Sequence, residues 1–126
     1  MNKLYKLMIL ITFVTLQACS SLPASSSLIS VAGVQNMDQA VSDLENPQKQ
    51  SDFTQELQHV VNVVSKDSTY QRIPIDTPGD REWFTARAFL LWDGMITREQ
   101  FVKFGVERFP QYESSFFKVA SLLDKS

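Results

Sequence analysis

Two side-chain types that often do chemistry occur once each in this chain of 126 residues: Cys19 is the only thiol and His59 the only imidazole. A metal site built on His59 would need a second histidine or a carboxylate one helical turn along, and position 63 is Val. His59 therefore reads as a surface or boundary residue. Asp76, Asp80, Glu82 and Asp93 are neighbours in sequence and could supply a general acid and base. Such a pair needs a cleft and a raised pKa on one member, and the sequence displays neither. Asp80 and Glu82 fall at the start of a predicted helix, where unpaired backbone N–H groups favour negative charge without any catalytic role. No Ser-His-Asp order exists, and the four glycines form no phosphate-binding loop. These residues predict no catalysis, no cofactor and no metal.

The elements that would position such residues begin with an N-terminal segment of a different kind. Lys3 and Lys6 precede an apolar run, Leu7–Leu16, broken only by Thr12 and Thr15. A basic start, a short apolar stretch and small residues after it are the parts of a secretory signal. The run is shorter than the about 20 apolar residues that a membrane-spanning helix needs. It ends in Leu16-Gln17-Ala18-Cys19.

That tetrad resembles the lipobox of bacterial lipoproteins. The resemblance implies that Leu16, Gln17 and Ala18 are read by lipoprotein signal peptidase. It implies that the Cys19 sulfur carries a diacylglyceryl group. It further implies that residues 1–18 are removed and that the new amino group is acylated, with palmitate-type chains. Two or three chains anchor firmly where one holds only marginally, since each buried CH₂ contributes about 0.8 kcal/mol. Ser20 stands where an Asp would mark inner-membrane retention. The family analogy thus implies the outer membrane, on its periplasmic face or on the cell surface.

Loss of residues 1–18 leaves 108, and loss of Lys3 and Lys6 takes the formal charge from −2 to −4. That mild acidity argues against a nucleic-acid or anionic-lipid surface, which would want a basic stripe. With no cysteine after Cys19, the exported part must hold together by packing alone. Residues 19–51 read as a tether: 20–35 is rich in serine, with one proline and one glycine. Within it, Met37, Ala40, Val41 and Leu44 make one short helical stripe, with Asn36 as cap.

Residues 52–126 read as a small all-α domain of about four helices. Phe53, Leu57, Val60, Val61 and Val64 form the stripe of a helix over 52–66. Tyr70–Asp76 alternates and contains Pro74, which suits an extended connector or an edge strand. Thr77-Pro78 opens a helix over 79–92, apolar on more than half its girth and so expected to be central. Thr97 and Gln100 spell a capping box for 97–108, flanked by Ile96 and Phe101. Phe101, Val102, Phe104, Val106 and Phe109 are its expected buried side, and Gly105 would admit a close neighbour. Tyr112, Phe116, Val119, Ala120 and Leu123 mark the last helix, 111–123.

Residues 93–108 resemble half of an EF-hand: Asp93-Gly94-Met95-Ile96-Thr97-Arg98-Glu99-Gln100-Phe101 follows the tail of a calcium loop into a helix. The departures decide its meaning. The first and third ligand positions fall on Phe89 and Leu91, and Gln100 stands where a bidentate Glu is required. Calcium takes six to eight oxygens, so the resemblance implies a shape without the ion. With no reaction indicated, the expectation is a lipid-anchored domain that binds another envelope protein, as an accessory or pilot subunit of a secretion or pilus system. The alternatives are a protective lipoprotein (effector immunity or conjugation exclusion) and a lytic or structural envelope component.

Overall fold

The computed structural model describes residues 22–125; the lipobox-like tetrad and the rest of the signal-like segment lie outside the described residues. The described residues form helices and no strand: α1 Ser25–Ile29, α2 Met37–Glu45, α3 Pro47–Ser65, α4 Pro78–Trp92, α5 Arg98–Arg108, a 3₁₀ turn Pro110–Tyr112, and α6 Glu113–Leu123. The protein is all-α.

Side-chain caps explain most of the starts. The Asn36 carboxamide oxygen accepts from Gln39 N–H at 3.1 Å. Asn46 accepts from both Gln48 and Lys49 N–H, with Pro47 in the first turn, where its missing N–H is no loss. Thr77 accepts from Asp80 N–H ahead of Pro78. Thr97 and Gln100 bond reciprocally, at 3.1 and 2.7 Å, as the sequence predicts. A cap of this kind contributes about 1 kcal/mol. α3 therefore starts at Pro47 and not near residue 52. After Pro47 its first turn is Gln48-Lys49-Gln50, which adds nothing to the apolar stripe of this helix.

Residues 22–50 do not form the tether that their composition suggests. Leu28 is 0% exposed, and Val31, Ala40 and Leu44 are buried with it. Helix α1 packs on α2 and α4. Ser27 Oγ donates to Glu82 at 2.6 Å, Gln35 N–H to the Met95 carbonyl at 3.0 Å, and Gln100 Nε2 to the Gly33 carbonyl at 3.0 Å. The segment is a strap across α4 and the α4–α5 turn. Gly33 is needed there: its φ is +79°, and a Cβ would come within 2.6 Å of Gln100 Nε2.

Helix α4 is central, with Phe84, Ala86 and every residue from Ala88 to Trp92 buried. Aromatic rings join it to its neighbours. Phe53 meets Phe89 edge-on at 5.3 Å, Phe84 meets Phe101 at 6.0 Å, and Phe101 meets Phe116 at 5.9 Å. Each buried Phe contributes roughly 1.5–3 kcal/mol. Gly105 lets α6 approach α5 so closely that a Cβ would lie 2.3 Å from Phe116 Cγ. The 66–77 connector pairs with no strand. Ile73 plugs it into the core and Ser115 Oγ donates to the Gln71 carbonyl, fastening it to α6.

Candidate functional site

The four acidic residues singled out in the sequence go to four different partners. Asp76 pairs with Arg72. Asp80 accepts from Arg108 Nη2 at 2.6 Å, and that guanidinium, helped by Thr77, holds its carboxyl below the usual range. Glu82 accepts from Ser27. Asp93 pairs with Lys49 at 3.0 Å. They do not converge. His59 is exposed on α3. Among the described residues, no group of three His, Cys, Asp or Glu side chains is placed to hold a metal ion.

The calcium-loop-like stretch turns as its sequence suggests, with Gly94 at φ +77°. Its potential ligands are otherwise employed. Phe89 and Leu91 are core residues. Asp93 is tied to Lys49, and Gln100 serves the α5 cap and the strap.

The structure does assemble one carboxylate pair that sequence proximity could not reveal. Lys49, in the first part of α3, reaches Asp43 of α2 at 3.1 Å and Asp93 at the end of α4 at 3.0 Å. Both carboxylates are nearly excluded from solvent, while the ammonium is partly exposed. Burial, and then the adjoining Asp43, push Asp93 up to about 6 against the pull of Lys49. Asp43 goes down instead, under the combined influence of the neighbouring Asp93 carboxyl, Gln39 and Lys49. Neither carboxyl lines the grooves described below, so this carboxylate pair meets no substrate-sized space there. It clamps α2, α3 and α4 together.

An open groove of about 770 Å³ runs between α5 and α6. Val102, Val106 and Phe117 supply its apolar surface; Arg98, Lys103, Glu99, Glu107 and Glu113 bring charge of both signs to it. Phe117 is 56% exposed, and with Val102 and Val106 it makes a contiguous apolar surface, the kind that marks an interaction site where a lone exposed residue would not. Sequence reasoning assigned Val102 and Val106 to the buried side of α5. Of that expected set only Phe101 is fully buried, and Val102, Phe104, Val106 and Phe109 are half-exposed. Phe117 was missed because it lies off the α6 stripe. An aromatic off the stripe was itself the available signal.

Away from the residues that line this groove, two arginines of α4 and α5 stack on rings. Arg87 lies over Trp83 at 4.7 Å and Phe104 at 5.1 Å, and Arg108 over Trp83 at 5.0 Å. Burial pulls the Arg87 guanidinium down from its usual value.

Fold and groove together define a small helical body with an open interhelical seat. No protein-family model matches the chain, and no curated protein or solved structure matches it either.

Proposed function

We propose that this protein is an outer-membrane lipoprotein, anchored through Cys19, whose helical domain binds another envelope protein as an accessory or pilot subunit of a secretion or pilus system. Its contribution is recognition and placement, not catalysis. The observation that carries the binding half is the α5–α6 groove, with Phe117 exposed beside Val102 and Val106. A trough between two helices, apolar and bordered by charges of both signs, suits an amphipathic helix from the partner. The partner's apolar stripe would seat on the three side chains, and its charges would set register against Glu107, Glu113 and Lys103. The anchor half rests on the resemblance of Leu16-Gln17-Ala18-Cys19 to a lipobox.

The test is co-purification from outer membranes with Cys19 intact, comparing the native protein with Phe117→Asp. Phe117 is exposed, so the variant should keep its helical circular-dichroism spectrum. A single stoichiometric envelope protein recovered with the native chain and lost with the folded variant is the expected result. The same companion recovered with both, or none recovered with the native chain, would overturn the binding reading.

A further inference from the structure

A second groove differs from the first in where it lies along the chain. It is lined by Leu22 and Pro23 of the strap, Leu57 and Val61 of α3, Ile75 of the connector and Phe84 of α4. Val61 is 50% exposed on it. It shares no lining residue with the α5–α6 groove. Among the described residues, the only charged side chains lining it are Arg81 and Glu82, which are of opposite sign.

Cys19 precedes Leu22 by three residues. Whatever path they take, three residues span at most about 11 Å, at 3.3–3.6 Å each. The interfacial layer on each side of a bilayer is roughly 5–8 Å thick, the difference between hydrocarbon and whole-bilayer dimensions. An acylated Cys19 at the lipid boundary therefore leaves Leu22 in or just above the headgroups. Because Leu22 and Pro23 are part of the groove, the surface nearest the lipid is the groove itself. A true tether over residues 20–51 would have allowed the domain any orientation. The strap removes that freedom.

We propose, resting on the Cys19 anchor proposed above, that the face formed by Leu22, Leu57, Val61 and Ile75 lies against the bilayer that holds the anchor. The occupant of this groove is the lipid interface. Its apolar side chains dip among the headgroups, and the balanced Arg81 and Glu82 suit a zwitterionic surface, since among the described residues no basic cluster lines the groove to select anionic lipid. The domain then stands with one fixed side down, and the α5–α6 groove remains available to a protein.

The experiment uses the mature acylated protein, in which the Cys19 thiol is blocked. Val61→Cys and, separately, Lys103→Cys on α5 carry an environment-sensitive fluorophore. Each protein is reconstituted in vesicles of phosphatidylethanolamine with a minor share of phosphatidylglycerol, and headgroup-spin-labelled lipid is the quencher. Both sites are exposed, and circular dichroism confirms the fold of each. Several-fold stronger quenching at 61 than at 103, in protein that floats with the vesicles, is the expected result. Equal quenching in floating protein overturns the orientation and leaves the anchor standing. Failure to float, with no acyl mass on Cys19, overturns the anchor and the orientation with it. Shielding at 61 that appears only as protein concentration rises assigns the groove to a second copy and overturns the proposal.

Discussion

Lys49 serves two carboxylates with one ammonium, and the two respond in opposite directions. Asp93 is pushed up to about 6, so the folded protein holds that proton more tightly than the unfolded chain. Its stabilising contribution is complete below the ordinary aspartate pKa near 4 and is lost as pH rises through 6. Asp43, shifted down, contributes above the ordinary value and fades only as pH falls through its lowered pKa. Asp93→Asn retains a donor for Asp43 and cannot ionise. Relative to the native protein, it should gain about 1 kcal/mol of stability between pH 5 and pH 7.5, less than full linkage because water reaches the cluster through Lys49. Urea midpoints at the two pH values measure this; an unchanged difference would mean that Asp93 titrates at its ordinary value. The sequence could not announce this pair, since Lys49 and Asp93 are 44 residues apart and meet only through tertiary packing.

At the scale of elements, local signals were legible wherever the chain states its own boundaries. The Thr77-Pro78 start, the Thr97/Gln100 box and the α6 stripe are each written within a few residues. The strap was not legible, for a physical reason. Leu22, Leu28, Val31 and Val34 sit among serines at spacings that match neither a helix nor a strand over any useful length, so the composition reads as linker. Burial comes from what α4 and the α4–α5 turn offer to them, which is not local information. Leu28→Ala distinguishes strap from tether. Emptying a fully enclosed leucine site should cost about 2–5 kcal/mol in urea unfolding of the whole domain. An effect below about 0.5 kcal/mol would mean that α1 is not part of the cooperative unit.

Over the whole molecule, the all-α class was readable because helical periodicity and caps agreed along most of residues 37–123. Which faces remain open was not, because a stripe says which residues could be covered and not whether a neighbour arrives to cover them. Val61, on the α3 stripe yet half exposed on its groove, is the outcome of that ambiguity. The anchor has its own test at this scale. Cys19→Ser should leave an unacylated precursor that no longer fractionates with outer membranes; normal maturation and retention of that variant would refute the lipoprotein reading.

The bond between Gln100 Nε2 and the Gly33 carbonyl has a mechanical consequence. A slack leash absorbs a pull by straightening. Here a pull entering at Leu22 meets Leu28 and Val31 seated in the core and then the helix start that Gln100 caps. Load passes in shear across the packed strap and arrives at α5, the helix that forms one wall of the groove proposed to seat a partner. Tension at the N-terminal end and grip at the groove are thus borne by one continuous chain of contacts, with little compliance between them.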